Sequence, residues 1–273
     1  MTFRMSFLLV FLAIGLSACT SSGKKTEKVE AASVESLYER ADTALKEQNY
    51  AEATKYFEEL ERQHPYSEWS VRAQIMGAYA SYLDQRYDEA ISSLDRYIQL
   101  HPGAEDVDYA HYLKAMSFYE QISDVRRDQN MTIDALRAFN TLIGRFPNSE
   151  YSRDASLKRD LAMDHLAGKE MEVGRYYLER GHINAAINRF RSVIVSFQTT
   201  SHVPEALHRL VEAYLTLGLK GEALKVAAVL GHNYPGSKWY ERSYALLDPD
   251  QRHKLDDGRG FFKRTIESLL SPN

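Results

Sequence analysis

The sequence predicts an all-α protein of stacked helical hairpins. Small residues recur where two paired helices must approach closely, a large apolar residue recurs one helical turn later, and a proline recurs where a hairpin ends. In segment 37–65, LYERADTALKEQNYAEATKYFEELERQHP, these residues are Ala41, Ala53, Phe57 and Pro65. This is the residue pattern of the 34-residue tetratricopeptide repeat.

The same pattern recurs four more times along the chain. The further copies are, in chain order, Ala78, Ala90, Leu94 and Pro102; Ala115, Ala135, Phe139 and Pro147; Gly174, Ala186 and Phe190; Tyr214, Ala223 and Pro235. One hairpin cannot bury its apolar face alone, so we expect a tetratricopeptide-repeat superhelix of five helical hairpins with a concave groove. An ordinary helical bundle with chance periodicity is the alternative fold.

Residues 1–18 read as a bacterial lipoprotein signal peptide. Arg4 supplies the positive start, and the apolar stretch 6–16 is too short to span a bilayer. Leu16-Ser17-Ala18-Cys19 then matches the lipobox, whose cysteine is acylated and becomes the first mature residue. Cys19 is the single cysteine of the chain. A plain secretory cleavage after Ala18 and an uncleaved anchor are the alternatives.

Lipidation of Cys19 would fix the protein to a membrane. One acyl chain binds a bilayer only marginally, whereas several palmitate-like chains on one residue hold it stably. Thr20, rather than Asp, follows the cysteine, which favours the periplasmic face of the outer membrane. Residues 19–33 are rich in Ser, Lys and Glu without hydrophobic periodicity, so we expect a flexible tether.

The mature chain divides into two predicted repeat blocks and a tail. Repeats one to three occupy residues 34–149, with a charged loop at 123–131 that is either solvated or contacts a partner. Residues 150–247 hold a long linking helix from Ser152 to Arg180, ended by Gly181, and then repeats four and five. The tail, 248–273, is expected to begin with a turn at Asp248-Pro249-Asp250. A short amphipathic helix should follow, with the stripe Phe262, Ile266, Leu269 and Leu270.

The helix positions that face the groove in this motif differ between the blocks. In repeats one to three, the groove candidates are rich in tyrosine: Tyr38, Tyr79, Tyr82, Tyr109, Tyr112 and Tyr119, with Arg72, Ile75 and Met116. Repeats four and five place there Gly168, Met171, Arg175, Leu178, Glu205, His208, Glu212 and Leu215. Tyrosine combines an apolar face with a hydroxyl and suits a groove for an aromatic-bearing peptide. Packing between repeats is the other role open to each tyrosine.

Composition and motifs indicate a binding protein rather than an enzyme. With 34 basic and 38 acidic residues, the formal charge of -4 offers no basic patch, so nucleic acid is not an expected partner. HExxH, GxSxG, P-loop and CxxC motifs are all absent, and no cofactor is expected. Asp106, Asp108 and His111 begin a repeat helix, where acidic residues favour the helix dipole, so no metal is expected there.

Three runs beyond the generic repeat positions carry a family resemblance: DVDYAHYLKAM (106–116), FPNSEYSRDASLKR (146–159) and YYLERGHINAAINR (176–189). With the lipobox and the repeats, they resemble the BamD, or ComL, family of lipoprotein subunits of the outer-membrane β-barrel assembly machine. The similarity covers residues 19–247, and the tail from Asp248 does not match.

The resemblance implies a periplasmic, non-enzymatic scaffold. The first repeat block would receive the aromatic-ending C-terminal signals of unfolded outer-membrane proteins, and the second block would dock on BamA, beside other Bam lipoproteins. Arg189, in the family's Asn-Arg pair, is the leading candidate for the BamA contact, with Glu179 and Arg180 beside it.

Two other function classes stay open at this point. A tetratricopeptide-repeat pilotin lipoprotein for pilus secretins would share the anchor and the fold but not the three quoted runs. A lipoprotein enzyme, such as a cell-wall hydrolase, would need an acid, a base or a nucleophile that the sequence does not display.

Overall fold

The structure is a computed structural model that describes residues 32–256. The signal peptide, Cys19, most of the tether and the stripe 262–270 lie outside the described residues. Between residues 32 and 256 all regular structure is helical, and none of these helices is long and apolar enough to cross a membrane.

Twelve helices follow one another in the described part of the chain. They are α1 (Val34–Lys46), α2 (Tyr50–Gln63), α3 (Glu68–Leu83), α4 (Tyr87–Leu100), α5 (Val107–Tyr119), α6 (Asn130–Arg145), α7 (Ser152–Glu179), α8 (Ile183–Ser196), α9 (Val203–Thr216), α10 (Lys220–Asn233), α11 (Lys238–Leu246) and α12 (Pro249–Asp256). Helices α1 to α10 pair into five antiparallel hairpins, and each hairpin packs on the next. Helix α11 covers α9 and α10 at the carboxy-terminal end of the stack.

The repeat positions recognised in the sequence form the core of these hairpins. Ala41, Ala53 and Phe57 are buried in the first hairpin, and their counterparts are buried in the next three. The tetratricopeptide-repeat fold is therefore confirmed, because the small residues let the helix backbones approach while the large residue fills the space between them.

The fourth hairpin, α7 with α8, has a glycine where the first three have an alanine. A Cβ atom on Gly174 would collide with the ring of Phe190, which lies directly against the α7 backbone. Phe190 itself is fully buried. The glycine is thus required by the close approach of the aromatic ring rather than by backbone conformation.

Helix α7 is the predicted long helix, with 28 residues from Ser152 to Glu179. It ends as expected, since Gly181 adopts a left-handed φ of 75°. Its amino-terminal half packs on α6 through Ala155, and its carboxy-terminal half packs on α8 through Met171. One helix therefore joins two hairpins by burying a different face in each half.

The connection at 123–131 is held in place by hydrogen bonds and is not a simple solvated turn. Gln129 is buried and donates to the carbonyls of Asp124, Val125 and Arg127, while Lys169 of α7 donates to those of Arg126 and Arg127. This loop is thus fastened to α7.

The expected turn at Asp248-Pro249-Asp250 is wrong. Asp248 accepts a hydrogen bond from the amide of Gln251, and helix α12 begins at Pro249. An acidic cap followed by proline in the first helical position starts a helix as readily as it makes a turn.

Candidate functional site

Four tyrosines form a continuous line of ring contacts, which we call the tyrosine ladder: Tyr79, Tyr109, Tyr151 and Tyr112. Ring centroids lie 6.5 Å apart between Tyr79 and Tyr109 and 5.2 Å apart between Tyr109 and Tyr151. Tyr112 stacks on Tyr151 at 5.1 Å with an interplanar angle of 24°. These distances and tilts are typical of attractive aromatic pairs. The ladder links α3, α5 and the turn before α7.

The hydroxyl groups of Tyr112, at one end of the ladder, and of Tyr82, which lies outside it, already have partners. The Tyr112 hydroxyl donates to Asp154 of α7 at 2.7 Å, and the Tyr82 hydroxyl reaches Glu120 at 3.4 Å. The ammonium of Lys158 lies 5.4 Å from the centre of the Tyr119 ring and 3.7 Å from Asp154. What remains available at this end of the ladder is chiefly the faces of the rings.

Burial keeps the tyrosines of this region in their neutral form. Desolvation raises the pKa of Tyr82 to about 12, with a further contribution from the Glu120 carboxylate. Burial also raises the pKa of Tyr109 and of Tyr112, the latter helped by its hydrogen bond to Asp154. Tyr82, Tyr109 and Tyr112 therefore stay neutral at physiological pH.

Tyr119 and Tyr38, which were also predicted to face the groove, make ring contacts outside the tyrosine ladder. Tyr119 packs edge-on against the core ring of Phe139 at 5.9 Å. Tyr38 packs in the first repeat, 4.9 Å from Trp69 and 5.7 Å from Phe57. Among the described residues no ring contact joins Tyr38 to the ladder. The repeat pattern thus predicts all six tyrosines on the groove-side helices. In the structure, three of the six, Tyr79, Tyr109 and Tyr112, belong to the tyrosine ladder.

The groove-facing pattern missed Tyr151, which joins Tyr109 to Tyr112. It precedes α7 and so falls outside the helix positions used to predict groove residues. The signal that could have found it is the run FPNSEYSRDASLKR, where Tyr151 stands four residues after Pro147. If the start of α7 is treated as the first helix of an additional repeat, the pattern places Tyr151 beside α5.

In the carboxy-terminal half, paired charges replace the tyrosines. Arg175 binds Glu172 at 3.0 Å and Glu205 at 3.1 Å, and Arg209 binds Glu212 at 2.8 Å and approaches Glu205 at 3.5 Å. We call the whole set the charged ladder: Arg126, Glu172, Arg175, Glu205, Arg209, Glu212 and His208. It connects the loop before α6 with α7 and α9.

The charged ladder ends at a buried histidine. His208 lies 3.4 Å from Glu212 through Nε2 and bonds the Ser243 hydroxyl of α11 through Nδ1 at 2.8 Å. Burial alone would raise the pKa of Glu212, but the bonds from His208 and Arg209 hold that pKa at about 2. Glu212 is therefore an anion. It binds His208 and Arg209 of its own helix, α9, and His208 in turn bonds Ser243 of α11.

Several residues expected in the groove are buried instead. Ile75, Met116, Gly168, Met171 and His208 all lie in the interior. Ile75, Met171 and His208 occupy the same position of repeats two, four and five, so burial there is a property of the repeat and not of one helix. The spacing of repeat positions places these residues on a helix face, but it does not show how much of that face the neighbouring helices cover.

Arg189 lies in a shallow groove between α7 and α8. Its guanidinium is 3.2 Å from Glu170 of α7 and stays 45% exposed. The groove, of about 300 Å³, is lined by Glu170, Tyr177, Ala185, Asn188, Arg189 and Ser192. Arg180 instead lies over the Tyr176 ring at 4.8 Å, and Glu179 is exposed at the end of α7. These two residues do not line the Arg189 groove.

The acidic start of α5 is occupied by structural contacts. Asp106 accepts a hydrogen bond from the Tyr97 hydroxyl, and Asp108 accepts one from the amide of Tyr109. His111 is buried against the Phe146 ring, 5.5 Å away, and burial lowers its pKa. Within residues 32–256 no cluster of three metal-ligating side chains occurs.

Comparison with known proteins identifies relatives over most of the chain. The profile of a family described as YfiO, outer membrane lipoprotein, matches residues 30–230. The outer membrane protein assembly factor BamD of Caulobacter vibrioides is 51% identical over 265 residues, covering 96% of this chain and 87% of that protein. BamD of Rickettsia prowazekii is 45% identical and covers 88% of this chain and 96% of that protein. Among solved structures, the TPR2AB domain of yeast Sti1 is 11% identical at a TM-score of 0.42, over 86% of this chain and 87% of that one.

Proposed function

Because the chain belongs to the BamD family of outer membrane lipoproteins, we propose that it is a lipid-anchored, non-enzymatic scaffold for outer-membrane protein assembly. In this role it receives unfolded barrel proteins on its first repeat block and docks on BamA through its second block. A role in outer membrane protein assembly is common to its relatives; the two binding surfaces are our own assignment.

The tyrosine ladder is the observation that supports the receiving role. Its rings are neutral, half-buried and in mutual contact, so a ligand meets a preorganised surface and orders few side chains on binding. With the Tyr112 and Tyr82 hydroxyls already bonded to carboxylates, the exposed parts of the rings favour an apolar or aromatic side chain. The aromatic residue at the end of a barrel protein meets that requirement.

The test replaces Tyr79 and Tyr112 together with alanine. We expect weaker crosslinking of peptides that carry the C-terminal sequence of a barrel protein, since two of the four rings are lost. Tyr176→Ala, a half-exposed tyrosine on α7 outside the ladder, is the matched control and should crosslink as the wild type does. Unchanged crosslinking in the double variant would remove the ladder from the binding site.

The Arg189 groove supports docking on BamA. Arg189 is nearly half exposed, its only ion-pair partner within the described residues is Glu170, and Tyr177 supplies an aromatic wall. An arginine and a tyrosine at a partly desolvated cleft are typical of residues that dominate protein interfaces. We therefore assign this groove, rather than Glu179 or Arg180, as the centre of the contact.

Charge reversal tests this contact. Arg189→Glu should reduce co-purification of BamA without loss of helicity, because it places a second carboxylate beside Glu170. Arg137→Glu on α6 reverses another exposed arginine that is paired with an acidic residue, and should leave co-purification intact. Full recovery of BamA by Arg189→Glu would exclude the groove, and recovery of a secretin in place of BamA would favour a pilotin.

The lipid anchor rests on Cys19. In Cys19→Ser the acyl chains cannot form, so the protein should leave the membrane fraction on cell lysis, and the mature wild type should carry acyl mass on its first residue. An unacylated mature chain that begins at Cys19 would instead indicate plain secretory cleavage, and a retained leader would indicate an uncleaved anchor.

A further inference from the structure

Three exposed leucines lie at the carboxy-terminal end of the stack, and we call them the leucine patch: Leu217, Leu219 and Leu246. Their exposed fractions are 41%, 46% and 48%. Leu217 and Leu219 flank Gly218 in the turn between α9 and α10, and Leu246 is the last residue of α11. Single exposed leucines are common on protein surfaces, whereas several at one place mark a contact site. Whether the patch is such a site depends on how close the turn lies to the end of α11.

Two polar contacts bring the turn and the end of α11 together. The ammonium of Lys220 lies 3.1 Å from the Asp248 carboxylate, and the Lys220 carbonyl accepts a hydrogen bond from the Gln251 side chain at 3.1 Å. Lys220 directly follows Leu219, and Asp248 stands two residues after Leu246. The leucines of the turn and of α11 are therefore neighbours, beside the segment where α12 begins.

Helix α12 starts beside the leucine patch and is fixed there. Gln251, in its first turn, is buried. Arg252 donates a hydrogen bond to the Leu247 carbonyl at 2.9 Å, and Leu255 packs against the core. An eight-residue helix is about 12 Å long. The chain therefore passes Asp256 at a point that is held close to the patch.

The residues that follow α12 include apolar side chains that could cover the leucine patch. Four of them form the stripe predicted from the sequence: Phe262, Ile266, Leu269 and Leu270. On the same predicted helix, the charged side chains fall away from the stripe: Lys263, Arg264 and Glu267. Between Asp256 and Phe262 the chain can span about 20 Å, which exceeds the length of α12. The stripe is thus within reach of the patch.

We propose that the chain's own carboxy-terminal segment, residues 261–270, covers the leucine patch with its apolar stripe. The covalent connection favours this occupant, because a short linker gives the segment an effective concentration of the order of millimolar beside the patch. A separate partner would have to compete with the segment at its own free concentration. This contact depends neither on peptide binding nor on docking to BamA.

A repeat stack also needs such a cover at its open end. Each hairpin buries its apolar face on the next one, so the last unit requires a terminal element with a polar outer face. Helix α11 covers α9 and α10 but leaves Leu246 itself 48% exposed. The charged side of the segment would then face water, and its apolar stripe would complete the burial that α11 begins.

Photo-crosslinking of the full mature chain tests this contact. Phe262 is replaced by p-benzoylphenylalanine, a photoreactive residue of related shape, and equal amounts of unlabelled and isotopically heavy protein are mixed with phosphatidylethanolamine vesicles. We expect crosslinks to peptides that contain residues 217–219 or 246, each joining two peptides of the same isotope. The same photoreactive residue in place of Arg264, on the charged side of the stripe, should not give these crosslinks.

Two variants test whether the apolar side chains make the contact. Leu219→Asp/Leu246→Asp should lose the crosslinks, because burying a carboxylate against an apolar stripe is unfavourable. Ile266→Asp should also lose them, and it changes only the segment, so the packed stack stays intact. A matched control carries aspartate at Leu100 and Val195, which are exposed at 60% and 68% on α4 and α8, and should crosslink as the wild type does.

The other occupants of the leucine patch give different products. Crosslinks between light and heavy peptides would mean that the segment of a second copy covers the patch, and crosslinks to lipid would mean that the segment enters the membrane. Crosslinks to other parts of the chain, or none, would leave the patch to a separate partner. Each of these results would overturn the proposal, as would unchanged crosslinking in the Ile266→Asp variant.

Discussion

The two halves of the groove face carry different side chains on the same backbone pattern. From α3 to the start of α7, the tyrosine ladder runs from helix to helix through ring contacts. From the middle of α7 to α11, the charged ladder does so through ion pairs and the bond from His208 to Ser243. Both connect neighbouring hairpins, but they leave different surfaces for a ligand.

This difference is the physical basis for our proposal that one half binds peptides. An aromatic ring has two faces and an edge, so the same ring can pack against a neighbour on one side and a ligand on the other. An arginine held between two carboxylates has its charge satisfied, so a ligand must break an existing pair to use it. The repeat fold sets which helix faces lie side by side, and under the proposed function the choice of tyrosine or paired charge decides which part of that surface a partner can use.

The strongest test of the comparison asks whether the halves unfold separately. Gly174→Ala forces the Phe190 ring to move and should lower the free energy of unfolding by about 2 kcal/mol, as for other overpacked cores. The two tryptophans report on the halves, since Trp69 packs with Tyr38 in the first repeats and Trp239 packs on the core around Phe190. We expect the Trp239 fluorescence transition in urea to move further than the Trp69 transition, each followed in a variant with the other tryptophan changed to phenylalanine.

The control for this test is Gly144→Ala on α6, where a Cβ atom meets nothing within 4 Å. There alanine should stabilise slightly, because glycine is a poor helix former. Equal shifts of both tryptophan transitions in Gly174→Ala would mean that the halves form one cooperative unit and that their difference is confined to the surface.

The second test concerns the tyrosine that joins the ladder. Tyr151→Ala removes the ring contacts to Tyr109 and Tyr112, each of about 0.5 to 1.5 kcal/mol, so thermal unfolding should show a loss of about 2 kcal/mol. Tyr151→Phe keeps the rings in contact and should retain most of that stability. A phenylalanine variant as weak as the alanine variant would show that the hydroxyl, and not the ring, holds the ladder together.

Tyr151 also marks the limit of what the sequence could predict. The recurring small, large apolar and proline positions predict the hairpins locally, although not every repeat has all of them. Helical spacing of apolar residues predicts the long helix, and Gly181 predicts its end. Contacts between hairpins depend on which face a helix presents. Met171 is interior where the repeat pattern expects a groove residue, as are Ile75 and His208 at the equivalent positions of repeats two and five.

The ion pairs of the charged ladder could not be predicted from the sequence either, although Arg175, Glu205 and Glu212 were all expected on the groove face. Its members come from α7 and α9, and the pairing of Arg175 with Glu205 joins residues 30 positions apart. Residue type and helical spacing place each charge on a face, but the distance between two helices decides whether the charges meet. Groove residues could be predicted singly; their pairing could not.

The third test compares how the stability of the two halves depends on pH. Because the pKa of Glu212 is held at about 2 in the folded protein, below the value near 4.3 of an unfolded glutamate, its charge stabilises the fold above pH 5. That contribution is lost as the pH falls from 5 toward 2. The wild type should exceed Glu212→Gln by about 1 to 2 kcal/mol in free energy of unfolding at pH 7, and the difference should shrink toward zero at pH 2.5.

A matched variant in the tyrosine half is Glu120→Gln, which removes the carboxylate near Tyr82. Glu120 is exposed and accepts one long hydrogen bond, at 3.4 Å, from the neutral Tyr82 hydroxyl, so this substitution should change the free energy of unfolding little at either pH. A Glu212→Gln difference that stays constant between pH 7 and pH 2.5 would show that this carboxylate does not stabilise the carboxy-terminal half as an anion.

The smallest effect is expected where the charged ladder reaches the surface. Arg126 is 78% exposed and lies 3.4 Å from Glu172, and exposed pairs of this kind contribute at most about 1 kcal/mol and are screened by salt. Arg126→Ala should therefore lower the free energy of unfolding by no more than about 0.5 kcal/mol, and this difference should vanish in 1 M NaCl. The loop itself should stay in place, because Gln129 and Lys169 hold its backbone independently of Arg126. A larger loss of unfolding free energy that persists at high salt would show that the charged ladder acts as one connected unit from its exposed end. The two halves of the molecule would then differ less than their side chains indicate.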